Sequence, residues 1–249
     1  MTASRLRVAT YNIHKGRGVD GRRRLDRIVA VLGEIDADVV AIQEIFEPQA
    51  RLVADATRMR AVFGPTRHLY GALSGNLCLS RVPLVGHVRY NLTCRPFEPR
   101  GCLRVDLDLR GLGEPGGARS PLHVFNVHLG LNHRERARQV ERLVRIFGRA
   151  DLVGPRVVLG DFNEWFRGGA SRLLHAEFGH PNGRRRAVRT HPSPLPVFPL
   201  DRIYHDPGVG VVRAGVHRSR LARVASDHLP AFADIRVSPS PAPTRVAKV

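Results

Sequence analysis

The sequence is short of cysteine, of lysine and of long apolar runs. Its three cysteines, Cys78, Cys94 and Cys102, are odd in number and none stands in a CxxC pair. That argues against a disulfide framework and against a cysteine-ligated zinc site. Of 40 basic residues only Lys15 and Lys248 are lysines. The bias leaves the charge balance unchanged, because arginine carries the same charge. No apolar run exceeds a few residues, far short of the ~20 that span a bilayer. The opening MTASRLRVATYNI lacks the apolar segment of a signal peptide. No solenoid-period repeat and no interdomain linker is visible. These absences lead to the expectation of a soluble, cytoplasmic monomer. They leave peripheral contact with an anionic membrane open.

What is present is enough for one sizeable core. The 249 residues are 43% hydrophobic. Lys+Arg number 40 against 22 Asp+Glu, a formal charge of +18. Such an excess favours polyanionic partners: nucleic acid, acidic membrane surfaces or phosphorylated small molecules.

Periodicity places the elements. Leu6, Val8 and Thr10 alternate with polar or small neighbours, as in an opening strand. Leu25, Ile28, Val29 and Leu32 form the stripe of an amphipathic helix. DVVAIQEI reads as a buried strand; NLCLSR and LVGHVRYNL read as strands around a turn at Val82-Pro83; Leu103 to Leu109 alternate; LHVFNVHL is another strand. In NHRERARQVERLVRIFG, Asn132 caps a helix and Glu135 stands at the capping-box position. Its six arginines between Arg134 and Arg149 read as a solvated face. RVVLGDFN is a strand, and a helix is expected from about Gly169 to Glu177. GHPNGRRRAVRTHPSPLPVFP reads as a long loop, followed by three closing strands. The tail 238–249 is expected to be disordered. One catalytic domain over 1–237 is therefore expected, α/β (α+β) in class, with sheets packed on each other and helices outside.

The apolar runs repeatedly end in chemistry-bearing residues. VATYN ends at Asn12, VVAIQE at Glu44, VFNVH at Asn126 and His128, and VVLGDFN at Asp161 and Asn163. PLDRIY carries Asp201, and ASDHLP carries Asp227 and His228. One carboxylate after a strand is ordinarily a turn or cap residue. Six such placements in one chain ask for a common cause, which convergence of strand ends at one rim would supply. Four carboxylates in a cleft raise each other's pKa and call for a counter-charge. An oxygen and amide donor set without cysteine suits Mg²⁺, Mn²⁺ or Ca²⁺ better than zinc. A metal, histidines and an Asp/Asn pair together suit phosphoester hydrolysis.

The motifs TYNIHKG, AIQE, LSRVPL, NVHL, LGDFN, LDRIY and SDHLP span residues 9 to 235 in order. In this the chain resembles the endonuclease/exonuclease/phosphatase (DNase I-like) superfamily. The resemblance implies a four-layer sandwich: two packed mixed or mainly antiparallel sheets flanked by helices. It implies that Glu44 is the principal Mg²⁺ ligand, with Asn12 close to the metal and Asp227 helping directly or through water. It implies that Asp161 orients or deprotonates the attacking water, and that Asn163 holds the phosphate or the water-binding carboxylate. His228, oriented by Asp201, would contact the scissile phosphate, and His128, with Asn126 nearby, would donate to a phosphate oxygen. Gly160 would let the backbone turn close to the substrate.

YNIHKGRG departs from the abasic-endonuclease pattern and PLDRIY from the inositol 5-phosphatase pattern. The chain looks most like a bacterial branch of metal-dependent hydrolases. The leading expectation is a Mg²⁺-dependent phosphodiester hydrolase, a nuclease on DNA or RNA. Its basic rim would be Lys15, Arg17, Arg22 to Arg24 and Arg184 to Arg186. The alternative is a phosphoesterase on a phospholipid or small phosphoester. Leu195, Val197 and Phe198 are its only candidates for membrane insertion, and ordinary packing under a sheet is the favoured reading of them. An inactive binding module is disfavoured, because Glu44, Asp161 and His228 are all retained.

Overall fold

Among the described residues two strand pairs run parallel and the other neighbouring strands are antiparallel, and the parallel pairs organise the molecule. The structure is a computed structural model that describes residues 4–110, 120–179 and 188–237. The elements in order are β1 (Ser4–Asn12), α1 (Leu25–Ile35), β2 (Val39–Phe46), α2 (Glu47–Thr57), β3 (Arg60–Leu69), β4 (Ala72–Ser80), β5 (Leu84–Asn91) and β6 (Gly101–Leu107). There follow β7 (Leu122–His128), α3 (His133–Phe147), β8 (Arg156–Asp161), α4 (Gly169–Phe178), β9 (Asp201–His205), β10 (Val209–Val216), α5 (Ala222–Ala225) and β11 (Ala231–Val237). A 3-10 turn over His14–Gly16 follows β1. The expected strands and helices are present. The structure adds α2 and β3, whose stretch has no clean period in the sequence, and the four-residue α5. The tail 238–249 and Arg184 to Arg186 lie outside the described residues.

One sheet has the order β10-β11-β1-β2-β4-β3, the other β5-β6-β7-β8-β9. Their inner faces meet in a core containing Leu6, Val8, Ala41, Leu103, Val105, Val157 and Leu159. The outer face of the first sheet, with Val40, Ile42 and Leu77, is covered by Ile28, Val31 and Leu32 of α1. The outer face of the second, with Phe125, Val127 and Val158, is covered by Val140, Leu143 and Phe147 of α3. These are the four layers. The continuous apolar run Val157–Leu159 follows directly: Val157 and Leu159 face one core and Val158 the other. Each such fully buried side chain contributes about 1.5–3 kcal/mol.

Asn132 caps α3 by accepting from the Arg134 and Glu135 amides. Arg134, Arg138, Arg142, Arg145 and Arg149 are exposed as expected, but Arg136 turns inward and donates to the Gly130 and Leu131 carbonyls. Among the described residues no helix is long and apolar enough to cross a membrane.

The parallel pairs β1–β2 and β7–β8 carry the site. Asn12 is level with Gln43, and His128 with Asp161. Parallel strands finish at the same edge, so four polar strand ends from two sheets come to one rim. Asp201 opens β9 directly opposite Asp161. β11 begins opposite Thr10, and the Ser226 hydroxyl donates to the Asn12 carbonyl, which brings 226–228 to the same rim.

Candidate active site

Glu44 reaches the crevice through a break in the ladder. The β2–β4 register shifts between Ile42 and Ile45, and Glu44 has φ +55°. Ile42 and Ile45 both join the outer core. The residues between them are thereby released toward the opposite sheet: Gln43 donates to Asn126, and Glu44 lies 3.8 Å from His128 Nε2. Positive φ on a side-chain-bearing residue is costly backbone, held here by the packing on either side. Asn163, with φ +50°, and His14 and Lys15, with φ +45° and +60°, are further such positions at the site.

Asp161 is buried at the end of β8. Its Oδ1 accepts the Asn163 amide at 2.8 Å, and its Oδ2 accepts the Asn12 side-chain amide at 2.9 Å. The Asn163 side chain donates to the Leu129 carbonyl at 2.9 Å, which ties the loop to the end of β7. Burial, with Asp201 adding to it and His228 opposing, raises the Asp161 carboxyl to about 6.

Gly160 before it has φ +152°, and a Cβ there would sit 1.9 Å from the Val127 carbonyl oxygen. From the sequence alone this glycine is expected to allow close approach of the substrate. The structure assigns it to close approach of β7.

The two histidines hold opposite protonation states. His228 Nδ1 lies 2.8 Å from Asp201 Oδ2, and its Nε2 lies 3.9 Å from Asp161 Oδ2. Burial opposes the charge, but Asp201 and Asp161 outweigh it and lift His228 to about 10. Thr190 Oγ1 donates to the same Asp201 oxygen at 2.5 Å. Asp201 Oδ1 is buried without a partner among the described residues.

His128 instead lies against Arg100, whose Nη1 is 2.8 Å from Nε2 and 3.0 Å from Nδ1. A guanidinium only donates, so the ring must accept and is neutral. Burial first, then the Arg100 charge, push His128 well below its ordinary range. Its Nε2 is 3.7 Å from Asp161 Oδ2.

Glu44 Oε2 is paired with the Lys15 ammonium. Burial works against its ionisation, and the cations around it prevail, holding the carboxyl down at about 2. His128 lies 3.8 Å from Glu44 but is itself neutral. The Lys15 ammonium is therefore the charge that acts.

Asn12, Glu44, His128, Asp161, Asn163, Asp201 and His228 thus meet in one crevice. Asp227 stands at its more exposed rim, 3.7 Å from His14 Nδ1. Asn126 does not reach it. Its amide is wholly buried between the sheets, donating to the Ile42 and Leu77 carbonyls and accepting from Gln43. Alternation puts Asn126 and His128 on one face, but two residues of strand separate Asn126 from the rim.

Asn12 is in place but turns its NH₂ toward Glu44 (3.4 Å) and Asp161. Its Oδ1 accepts the His14 amide, so as oriented it steers carboxylates and offers them no oxygen. Lys15, expected to grip phosphate, is on Glu44 instead. Arg17 and Arg22 to Arg24 are exposed as expected.

Arg100, Thr190 and His191 were not legible in the sequence, because they sit in loops without periodicity. Leu195 and Val197 are 75% and 44% exposed rather than packed under a sheet.

The donor chemistry suits a hard divalent cation. The carboxylates of Asp161 and Asp201 come together beside His228, and that of Asp227 lies by the same ring; the oxygens are the donors, since the charged imidazole has no lone pair to give. Glu44 is ionised, and the Asp201 oxygen is unpartnered.

Residues 9–228 match the family described as Endonuclease/Exonuclease/phosphatase. The chain is 27% identical over 252 residues to the uncharacterized protein YbhP of Escherichia coli, covering 93% of this chain and 96% of YbhP. It superposes on the mannosyl-6-phosphatase Bt3783 of Bacteroides thetaiotaomicron with a TM-score of 0.75 at 20% identity, covering 92% of this chain and 99% of that one. It superposes on D. rerio TDP2 complexed with single strand DNA product with a TM-score of 0.70 at 16% identity, covering 93% and 99%. At these identities the two superpositions show the fold.

Proposed function

The chain belongs to the endonuclease/exonuclease/phosphatase family, whose chemistry is the hydrolysis of phosphoester bonds, and we propose that it is a Mg²⁺-dependent phosphodiesterase of nucleic acid, working in the cytoplasm as a monomer. The observation that carries the reading is the opposed pair of histidines around Asp161. Asp161 Oδ2 lies 3.7 Å from His128 Nε2 and 3.9 Å from His228 Nε2, with Asp201 behind the one ring that is held charged and Arg100 behind the one that is held neutral.

Asp161 takes the proton of the attacking water, held in aim by the Asn12 and Asn163 donors. His228, charged and oriented by Asp201, donates from Nε2 to a phosphate oxygen. His128 is steadied by Arg100, and with that guanidinium lines the side of the crevice next to Glu44. Glu44, with Asp227 and a reoriented Asn12, would hold the divalent ion; Mn²⁺ fits the same donors. When bound, the ion neutralises phosphate charge and stabilises the leaving oxygen.

The nucleic-acid reading draws on the +18 charge and on Arg67 and Arg100 beside Glu44. TDP2, of the same fold, was solved with a DNA product. A second reading, a small phosphoester, draws on the narrow cleft lined by Glu44, Thr66, Arg67, Ser74, Arg100 and His128, and on the likeness to a sugar phosphatase.

The test is a panel with Mg²⁺ and with EDTA: plasmid, single-stranded DNA, RNA, bis(p-nitrophenyl) phosphate, sugar phosphates and phospholipid vesicles. EDTA-sensitive cleavage of DNA or RNA is expected. Turnover confined to sugar phosphates or lipid would replace the nucleic-acid reading. No turnover of any ester would remove the hydrolase.

A further inference from the structure

A row of rings leads out of the crevice from His228. The His191 ring centroid is 4.8 Å from that of His228, and Trp165 is 6.1 Å beyond His191. Phe198 lies 4.5 Å from Trp165, tilted at 47°, and Phe166 meets Phe198 edge-on at 6.1 Å. Trp165 is 45% exposed and Phe166 79%. Large aromatics left in water beside a polar crevice are a binding surface in want of an occupant.

The row is built into the reactive loops. Trp165 lies four residues after Asp161, and Phe198 three before Asp201. The Phe162 amide donates to the Leu200 carbonyl at 2.9 Å, joining the two loops. Arg202 locks them further. It donates to the Glu164 carboxylate at 2.7 Å, the Glu164 carbonyl at 2.8 Å and the Pro199 carbonyl at 2.9 Å. The Arg202 and Glu164 side chains are both 3% exposed. The rings therefore stand at a set distance from the groups that hold the phosphate.

We infer that Trp165, backed by Phe198 and His191, is a stacking face for the base of the nucleotide adjoining the scissile phosphate. The inference rests on the nucleic-acid reading above and names the part of the substrate that the rings receive. Base–aromatic stacking is tolerant of sequence, because every base has a π-face. The step from His228 to Trp165 passes through a single ring, His191, 4.8 Å from the one and 6.1 Å from the other. A bilayer is the less fitting occupant: Trp165 is partly sunk and Phe198 half-buried beside the crevice, and of the rings in the row only Phe166 stands clear of the surface.

Trp165 is the one tryptophan of the chain, so its fluorescence reports this face alone. The full protein in EDTA is titrated with a short oligothymidylate, with an abasic chain of equal length, and with phosphatidylglycerol vesicles. Saturable quenching by oligothymidylate and not by the abasic chain is expected. Phe198→Ala should weaken the oligothymidylate affinity about tenfold, with unchanged far-UV circular dichroism.

Equal quenching by both chains would overturn the inference in favour of backbone contacts. A blue shift with vesicles alone would overturn it in favour of a membrane, and no response to any probe would overturn it outright. Hydrolysis of bis(p-nitrophenyl) phosphate, followed separately, keeps the two readings apart. Turnover without quenching removes the stacking face and leaves the hydrolase. Quenching without turnover does the reverse.

Discussion

The imidazole of His228 meets the carboxylate of Asp201 at 2.8 Å, 27 residues away along the chain. That contact fixes which ring nitrogen faces the crevice and keeps the ring charged. Removing the carboxylate charge should let the buried ring shed its proton at a much lower pH. In Asp201→Asn the His228 titration, followed by NMR of the ring carbons, should fall from about 10 toward or below the ordinary histidine value. The turnover number should drop by about 10²–10⁴. A ring that stays charged to high pH in this variant would show that Asp161, not Asp201, holds it.

Acid should switch the reaction off through Asp161. Its carboxyl is raised, so on acidification it takes up a proton at about 6 rather than near 3.9. The protonated form cannot act as a base. The decline in kcat on acidification should therefore begin above the ordinary carboxylate range, with activity level from there until His228 loses its proton near 10. An acid limb near pH 4 would move the base elsewhere.

Glu44 should set the metal requirement. Glu44→Gln keeps the shape but removes the charge. The Mg²⁺ concentration giving half-maximal activity should rise about tenfold or more, with unfolding temperature in EDTA little changed. An unaltered Mg²⁺ curve would place the ion away from Glu44, at the carboxylates of Asp161 and Asp201.

The Arg202–Glu164 pair should be a stability element with a defined pH range. Burial raises the Glu164 carboxyl, but its bond from Ser171 and the Arg202 charge outweigh burial, so its folded pKa is lowered. A lowered carboxyl contributes stability that is present above its unfolded pKa and lost as pH falls through the folded one. Urea unfolding should show this loss below about pH 4 in the wild type and not in Glu164→Gln. Arg202→Met alone leaves a buried charge and should cost about 3–5 kcal/mol, the double variant Glu164→Leu/Arg202→Met less. Equal losses in single and double variants would show no coupling.

Gly160 should tolerate nothing larger. A methyl group there meets the Val127 backbone, so Gly160→Ala should lose about 3 kcal/mol, and should do so without metal or substrate present. Near-normal urea stability with lost activity would return the glycine to a substrate role.

The residues that were readable are those whose role follows from local order. Val157 to Leu159 announce a strand buried on both faces, and Asp161 and Asn163 stand at its end by adjacency. The helix stripes of α1 and α3 were equally plain, as was the Asn132 cap. Asn126 shows where locality misleads. It shares a strand face with His128, yet depth along that strand puts it between the sheets rather than at the rim. Leu195 and Val197 mislead the other way, since an apolar loop segment reads as packing until its neighbours are known. Arg100 gave no signal, because its partner His128 is 28 residues away and neither belongs to a pattern that includes the other.

By itself the sequence determined the elements, their buried faces and the polar groups at their ends, because periodicity and adjacency act over a few residues. Only the tertiary structure decided which charges those groups carry. Protonation answers to burial and to neighbours brought from distant strands, and Asp201 beside one histidine and Arg100 beside the other are such neighbours.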